Sequence, residues 1–236
     1  MIPKVIHYCW FGGKPLPRDV EQCIRSWKKF CPDYEIKRWD ESSFDVTQHP
    51  FCKAAYEAGA WAFVSDYARL KIIYEEGGIY LDTDVELIRS PDFLLENQGF
   101  LAVDQSGHYI ASGLGFGAQK ENPVIGSMLR IYDEVTFDNE NRESIACPLL
   151  NTRAMERLGY SYSEEIQALK GVAILPPPYC DPFAPGDSQN LLCEKTVSIH
   201  HYSASWTSAP QRWKRKLVRL VGQDKINKIK NRLRQK

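Results

Sequence analysis

The stretch DYARLKIIYEEGGIYLDTDVE, Asp66–Glu86, joins a helical pattern to a short apolar strand through a Gly-Gly pair. A glycine after the last turn commonly ends a helix, so this pair predicts the helix end. The three residues that follow, Ile79–Leu81, are all apolar, which is typical of an inner strand of an α/β sheet. Asp82 and Asp84 come directly after it. Open α/β sheets bind ligands beyond the carboxyl ends of such strands, so this acidic pair is placed where a ligand would lie.

The rest of the chain alternates helical and strand patterns, which predicts an α/β fold. The predicted helices are Arg18–Phe30, Phe51–Ala58, Ser65–Glu76 with Ser65 as the N-cap, Val124–Val135, and a mixed turn and helix at Ala146–Leu158. The predicted strands are PKVIHYCWF near the start, YEIKRWD at 34–40, IYLD, Phe100–Asp104, Gly115–Ala118 and TVSIHHY at 196–202. The segment ILPPPYCDPFAP at 174–185 predicts no regular structure, because proline removes backbone donors and fixes φ.

Composition narrows the class of protein. The chain has 236 residues, 43% of them hydrophobic, which is enough for one substantial core. It contains no apolar run near the roughly 20 residues of a membrane span and no signal-peptide pattern at its start. Its seven cysteines are odd in number, scattered and without a CxxC, which predicts neither a disulfide framework nor a zinc cluster. We therefore expect a cytoplasmic protein with reduced thiols.

The charge is distributed unevenly along the chain. Residues 213–236 contain ten Lys or Arg and one acid, so the other 212 residues hold 20 basic and 29 acidic side chains of the 30 and 30 in total. Two short amphipathic helices fit this tail, which predicts a domain at 1–212 and a basic tail at 213–236. Two interpretations stay open: docking on the anionic inner face of the cytoplasmic membrane, or a helix pair that caps the acidic body. We expect no nucleic-acid partner, since the tail lacks interleaved aromatic residues.

The acidic pair predicts a cation site only in context. Two close carboxylates repel each other unless a cation or proton lies between them, and hard oxygen ligands favour Mg²⁺ or Mn²⁺. A bare D-x-D pattern is common by chance, and a solvated strand end is the simpler alternative. On the preceding helix, Asp66 and Arg69 are three residues apart and share a face. They form either a local ion pair or a site in which the carboxylate and guanidinium bind sugar and phosphate oxygens.

Four ordered motifs extend the pattern beyond the acidic pair. They are IPKVIHYCWFGGKPLP at 2–17, SWKKFCPDYEIKRWDE at 26–41, AFVSDYARLKIIYEEGGIYLDTDVEL at 62–87 and IHHYSASW at 199–206. Together they resemble glycosyltransferase family 32, the DXD-containing sugar transferases that include mannosyl- and galactosyltransferases and bacterial enzymes of capsule synthesis. The resemblance implies the GT-A fold, a single α/β domain whose central sheet is mostly parallel and which binds a nucleotide-sugar donor.

The resemblance also implies roles for particular residues. Trp10 would stack on the nucleobase, although a core tryptophan is the alternative. The S-D-x-x-R motif is matched by Ser65, Asp66 and Arg69, the last two of which would contact the donor sugar. Tyr80 and Asp82 would lie against ribose and sugar, and Asp84 would be the direct ligand of Mn²⁺ or Mg²⁺.

The end of the matched region supplies the remaining site residues. His200 would complete the metal shell, with His201 as the alternative, since adjacent strand residues point to opposite faces. Ser205 and Trp206 match a terminal S-W that closes over the diphosphate. The middle of the chain departs from the family pattern: Ser112 and Gly113 stand where relatives often have Asn-Gly, and Pro148 and Thr152 remain from a GP…T loop without its glycine.

These implications define the function expected from the sequence. It is a metal-dependent, retaining transfer of a hexose from a UDP- or GDP-linked donor to a cell-surface polysaccharide or a lipid-linked oligosaccharide. One alternative is a haloacid-dehalogenase-like phosphatase, because YLDTDV also fits its D-x-D-x-[TV] motif. That family usually carries the motif on its first strand and adds a later acidic pair with a lysine. The other alternative is a non-catalytic carbohydrate-binding protein on a transferase fold.

Overall fold

The computed structural model of the chain describes residues 1–183 and 189–203. Five α-helices and nine strands lie within these ranges. The helices are α1 (Arg18–Phe30), α2 (Pro50–Glu57), α3 (Trp61–Glu76), α4 (Pro123–Arg130) and α5 (Cys147–Glu156). The strands are β1 (Val5–Cys9), β2 (Glu35–Trp39), β3 (Gly78–Tyr80), β4 (Val85–Leu87), β5 (Gly99–Ala102), β6 (Phe116–Ala118), β7 (Gln167–Leu169), β8 (Val172–Leu175) and β9 (Ser198–His200).

Seven of the strands form one sheet in the order β2-β1-β3-β6-β5-β8-β7. Strands β2, β1, β3, β5 and β8 run in one direction, and β6 and β7 run in the other. The expectation of a mostly parallel sheet flanked by helices is therefore confirmed. Because β1 and β3 are parallel, Trp10 and Asp82, which follow them, lie at the same edge of the sheet.

The sheet is covered on both faces, as the apolar pattern of β3 predicts. Ile79 packs into a cluster that includes residues of α1 and of β4, which pairs with β9 in a separate two-stranded sheet. Tyr80, the next residue, packs into the other cluster, which includes α2 to α5. Asp82 has the same parity as Tyr80 and so lies on the α3 side of the sheet.

A buried histidine fixes β1 to its neighbours. His7 is 1% exposed, its Nε2 lies 3.0 Å from the Gly77 carbonyl oxygen, and its Nδ1 accepts a 3.0 Å hydrogen bond from the Trp39 indole N–H. These partners require a neutral imidazole with its proton on Nε2. Gly78 has a φ of 101°, and a Cβ there would come within 2.8 Å of His7 Nε2. Only glycine fits this close approach without strain.

The start of α3 differs from the prediction. The helix begins at Trp61, one turn before Ser65, and the Ser65 hydroxyl donates 3.0 Å to the Trp61 carbonyl inside the helix. The N-cap assignment of Ser65 was therefore wrong. The residues preceding Ser65 are mostly buried apolar side chains, so tertiary packing extends the helix backwards without a side-chain cap.

The proline-rich segment also contains more regular structure than its sequence indicates. Its first two residues belong to β8, which is fully buried, and Pro177–Tyr179 form one turn of 3₁₀-helix. The predicted helix from Val124 ends as α-helix at Arg130 and tightens to 3₁₀ over Ile131–Glu134. None of these differences changes the order of elements.

Two predicted features lie outside the described residues: the Ser205-Trp206 pair and the basic tail at 213–236. Within the described ranges, no helix combines the length and the apolar character needed to cross a bilayer.

Candidate functional site

The helix-strand unit formed by α3 and β3 carries a buried charge network, which we call the Arg69 cluster: Asp66, Arg69, Tyr80 and Asp82. Arg69 is 4% exposed and donates 2.7 Å to Asp66 Oδ1 and 3.1 Å to the Ser65 carbonyl. Its other terminal nitrogen lies 3.4 Å from Asp82 Oδ2. One guanidinium thus serves two carboxylates, and its planar fork fixes their relative position.

Tyr80 completes this cluster from the strand. Its hydroxyl donates 3.1 Å to Asp82 Oδ1, and its ring lies 5.1 Å from the Arg69 guanidinium carbon. On the open side of the cluster, a Cβ at Gly113 would come within 2.6 Å of Asp82 Oδ2 and 3.0 Å of Arg69. Gly113 is therefore required for its segment to approach the charged groups.

Burial dominates the protonation of the Arg69 cluster. It raises the pKa of Asp66 to about 6, against the opposing effect of Arg69. It also raises the pKa of Asp82, again opposed by Arg69. Removal of the guanidinium would leave two desolvated carboxylates close together, so Arg69 is needed to keep them charged.

Next to the Arg69 cluster, Asp84 contacts residues 200–203, the last residues that the structure describes. We call Asp84, His200 and Ser203 the Asp84 cluster. His200 Nε2 lies 3.1 Å from Asp84 Oδ1, and Asp84 Oδ2 accepts the Ser203 backbone N–H at 2.8 Å and its hydroxyl at 3.1 Å. The pairing of β4 with β9 brings these residues together, with Val85 opposite His200.

Opposing effects act on the Asp84 pair. Burial acts to raise the pKa of Asp84, but His200 and the Ser203 donors outweigh it and hold that pKa below its usual range. Burial acts to lower the pKa of His200, and the charge and hydrogen bond of Asp84 outweigh it and raise that pKa. Asp84 is therefore a carboxylate at neutral pH, the state in which it can bind a cation.

The two clusters together offer a set of metal ligands. One ligand atom each from Asp82, Asp84 and His200 lie within 4.8 Å of one another. The side chain of His200 is 12% exposed, and its Nδ1 is buried with no hydrogen-bond partner among the described residues. Two carboxylates and an imidazole at a partly open site suit Mg²⁺ or Mn²⁺. The residues present thus fit a divalent cation.

The two adjacent histidines diverge, as their strand positions predict. His200 faces Asp84, whereas His201 Nε2 lies 2.8 Å from Glu86 Oε2. Of the two, His200 lies with the acidic pair and His201 does not.

Trp10 lies at the end of β1 and is half-buried, with its indole N–H donating 2.6 Å to the Lys14 carbonyl. It is neither a fully buried core tryptophan nor a freely exposed one. This position agrees with both alternatives, a core tryptophan and a ring that stacks on a nucleobase at the edge of the site.

One residue of the site, Ser203, gave no signal in the sequence. Ser203 contacts Asp84 through two donors, yet no spacing rule links the two positions. Ser112, which stands where relatives often have asparagine, is fully buried. Its hydroxyl accepts a 3.0 Å hydrogen bond from Asn151 Nδ2 and lies 3.1 Å from Cys147 Sγ. The Thr152 hydroxyl accepts the Ile110 N–H at 2.8 Å, which ties this segment to α5.

Comparison with known proteins was informative for part of the chain. Residues 17–101 match the family model described as "Glycosyltransferase sugar-binding region containing DXD motif". This match covers α1 to β5 and includes the Arg69 cluster and Asp84. It confirms the resemblance to DXD-containing glycosyltransferases that the motifs predicted.

Two curated relatives are similar over shorter lengths. "Inositol phosphoceramide mannosyltransferase 3" of Schizosaccharomyces pombe is 28% identical over 141 residues, which cover 58% of this chain and 39% of that protein. "Subversion of eukaryotic traffic protein A" of Legionella pneumophila is 27% identical over 128 residues, covering 42% of this chain and 20% of that protein. The chain thus spans well under half the length of either relative.

Among solved structures, "PaToxG Glycosyltransferase" superposes with a TM-score of 0.50 at 20% identity, over 66% of this chain and 69% of that one. The structure titled "galactosyltransferase LgtC in complex with donor and acceptor sugar analogs" gives a TM-score of 0.46 at 13% identity, over 90% of this chain and 92% of that one. The first of these likenesses supports a shared fold.

Proposed function

We propose that this protein, whose residues 17–101 match the family model of the DXD-containing glycosyltransferase sugar-binding region, is a metal-dependent, retaining glycosyltransferase. It moves a hexose from a UDP- or GDP-linked sugar to a cell-surface polysaccharide or a lipid-linked glycan. The S. pombe relative is named as a mannosyltransferase for inositol phosphoceramide. That name supports a hexose donor and an acceptor attached to lipid.

One observation carries the proposal: Asp82, Asp84 and His200 converge within 4.8 Å beside the guanidinium of Arg69. The first three residues would hold Mn²⁺ or Mg²⁺. A divalent cation at this position supplies Lewis-acid stabilisation for a departing nucleoside diphosphate. Asp82 belongs to the Arg69 cluster and is also one of the three candidate cation ligands, so the cation side and the sugar side of the site share one side chain.

The side chains of this protein would bind and orient the donor. Asp66 and Arg69 would hold sugar hydroxyl groups, and the buried fork of Arg69 keeps both carboxylates in place without reorganisation. Tyr80 would lie against the ribose, and Trp10 would stack on the nucleobase at the same edge of the sheet. Ser65, whose carbonyl fixes Arg69, would act through its neighbours. Ser205 and Trp206 would donate to the diphosphate, and their segment lies outside the described residues.

Retention of the anomeric configuration can proceed by attack of the acceptor on the same face as the leaving group, which requires no enzyme nucleophile. The segment at Gly113 borders Asp82 and Arg69 and would form part of the acceptor side. Asn151 and Thr152 would hold that segment in place through the bonds already described.

A panel of UDP- and GDP-sugars tests the proposal. The protein should bind at least one of them only when Mn²⁺ or Mg²⁺ is present and should hydrolyse it slowly without acceptor. Binding is measured by calorimetry and hydrolysis by release of the nucleotide. If no nucleotide sugar binds in the presence of either cation, the protein is not a transferase of this type.

The same assays, with a phosphomonoester and free glycans added to the panel, address the two alternatives. A phosphatase would release inorganic phosphate from a phosphomonoester, and its cation site would need further acidic ligands with a lysine. Among the described residues, the third member of the candidate cation set is the imidazole of His200. A non-catalytic carbohydrate-binding protein would bind glycans without cation-dependent turnover.

The basic tail at 213–236 is proposed to dock the enzyme on the anionic inner face of the membrane, where a lipid-linked acceptor would lie. Each basic residue near such a surface contributes about 1 kcal/mol. Liposome sedimentation of the full chain and of a variant ending at 212 tests this. Equal sedimentation of the two proteins with anionic vesicles would favour a tail that caps the acidic body.

A further inference from the structure

Tyr202 and Asp181 form a polar pair behind the Asp84 cluster. The Tyr202 hydroxyl donates 2.6 Å to Asp181 Oδ2, and the Tyr202 ring centroid lies 4.0 Å from that of His200. Asp181 Oδ2 also accepts the Gln105 backbone N–H at 2.9 Å. The pair thus connects the end of the described chain to two loops that carry no member of the Arg69 or Asp84 clusters.

The backbone at Tyr202 adopts an unusual conformation. Its φ is 49°, in the left-handed region that non-glycine residues rarely occupy. The turn lies between His200 and Ser203, and these two residues contact the two different oxygens of Asp84. The same turn brings the His201 N–H to 2.9 Å from the Asp84 carbonyl oxygen. A conformation of this kind persists only where its surroundings determine it, and the bond to Asp181 is one of the contacts that hold this turn, together with the bonds to Asp84.

Asp181 is buried in a way that lowers the stability of the fold. It is 0% exposed, and its Oδ1 has no hydrogen-bond partner among the described residues. A buried carboxylate with one unsatisfied oxygen opposes folding. Its presence at this buried position therefore points to a role in arranging the neighbouring residues.

We infer that Asp181 and Tyr202 are positioning residues whose hydrogen bond holds residues 200–203 against Asp84. The bond keeps His200 and Ser203 in contact with that carboxylate and so sets the geometry offered to a divalent cation. The part of this inference that concerns the cation rests on the proposed function. The part that concerns the backbone does not.

The variant Tyr202→Phe tests the inference, because it keeps the ring against His200 and removes only the hydroxyl. Two measurements are made on the full chain: hydrogen exchange of the His201 and Ser203 amides without cation, and Mn²⁺ affinity by electron paramagnetic resonance. We expect exchange of both amides to become at least about tenfold faster, since a lost restraint favours local opening. We expect Mn²⁺ affinity to fall about 10- to 100-fold, as for other residues that orient metal ligands.

Tyr34→Phe is the matched control. The Tyr34 hydroxyl donates 2.7 Å to Asp92 Oδ1, a bond of the same type, just before β2 at the opposite edge of the parallel strands. This variant should leave both measurements within about twofold of the wild type, whatever its effect on thermal stability. Asp181→Ala removes the same hydrogen bond from the other side. The double variant should therefore show little more than the larger of the two single effects, because both changes remove that one bond.

Each combination of results decides a different point. Faster exchange with weaker Mn²⁺ binding supports the inference. Unchanged exchange in Tyr202→Phe overturns it, and faster exchange with unchanged Mn²⁺ affinity overturns its cation part. If the wild type binds no Mn²⁺ while exchange still accelerates in the variant, the backbone role stands and the proposed cation site fails.

Discussion

The Arg69 cluster and the Asp84 cluster are neighbours in space but are assembled over different lengths of chain. Arg69 reaches Asp66 and Asp82 across 3 and 13 residues, whereas Asp84 meets His200 and Ser203 across 116 and 119 residues. The first is complete once α3 packs on β3. The second requires the end of the described chain to return to β4. We therefore expect the first cluster to support folding as well as chemistry, and the second to be specific for the cation.

Asp84→Asn should have the largest effect and should separate chemistry from folding. The side chain keeps its size and an oxygen for the Ser203 donors but loses the charge that holds the cation. Cation-dependent turnover should fall about a thousandfold or more, since such an ion contributes several kcal/mol to transition-state stabilisation. Initial rates over a Mn²⁺ titration measure this, and urea unfolding should show a protein that still folds but has lost some stability, because the change also removes the charge that pairs with His200. Turnover within tenfold of the wild type would remove Asp84 from the cation site.

Arg69→Met should instead destabilise the fold. The change leaves the buried carboxylates of Asp66 and Asp82 without their cationic partner, and breaking such a pair costs about 3 to 5 kcal/mol. The free energy of unfolding in urea measures this loss. Arg69→Lys is the control: it keeps the charge without the planar fork and should fall between wild type and Met. A loss below about 1 kcal/mol in Arg69→Met would contradict the structural role of this cluster.

The free energy of unfolding should depend on pH through His7, whose side chain contacts Gly77 between α3 and β3. Burial lowers the pKa of His7 to about 4, below the value of about 6.5 in an unfolded chain. The unfolded state then binds the proton first, so the His7 contribution to unfolding free energy is largest above pH 6.5 and falls by up to about 3 kcal/mol as pH drops towards 4.

Asp66 acts in the opposite direction, because its pKa is raised to about 6 and protonation there favours the folded state as pH falls. The difference between wild type and His7→Gln, measured by urea unfolding from pH 4 to 7.5, isolates the histidine. A variant with the same pH slope as the wild type would show that His7 does not titrate as described.

His200→Gln and His201→Gln should give the smallest effect and the clearest contrast within one strand. Loss of an imidazole ligand should weaken Mn²⁺ binding about 10- to 100-fold in His200→Gln. His201 faces Glu86, so its change should leave the affinity within about twofold. Calorimetric titration of both variants measures this. The reverse pattern would assign the ligand to His201.

The contrast between the Arg69 cluster and the Asp84 cluster also explains which features of the fold and the site could be predicted from the sequence. The α3-β3 unit was predictable because its signals are local: an apolar strand, a glycine pair and acidic residues at fixed spacing. Strand alternation implied that only one of the two histidines faces the site, and the family resemblance favoured His200, whose position beside Asp84 agrees with that choice. Their roles in catalysis remain predictions.

The remaining features depend on contacts between distant segments. Ser65 was misplaced as an N-cap because a serine before a helical pattern is a good local cap, whereas burial of the preceding residues extends α3. Ser203 and Asp181 were not found, since neither their residue type nor their spacing identifies a partner more than twenty residues away. Strand β8 was missed because prolines follow it immediately and its apolar run is short.

The sharing of Arg69 between two carboxylates has a consequence for the order in which ligands bind. Asp66, Asp82 and Asp84 bring three negative charges, and Arg69 with a protonated His200, whose pKa is raised, brings two positive charges, so these five side chains carry a net charge of one negative unit when all are ionised. A nucleoside diphosphate entering alone would be repelled, and at partly buried positions such repulsion amounts to several kcal/mol. Under the proposed function, the donor would therefore enter together with its cation or after it, and the diphosphate product would be held only while the ion remains.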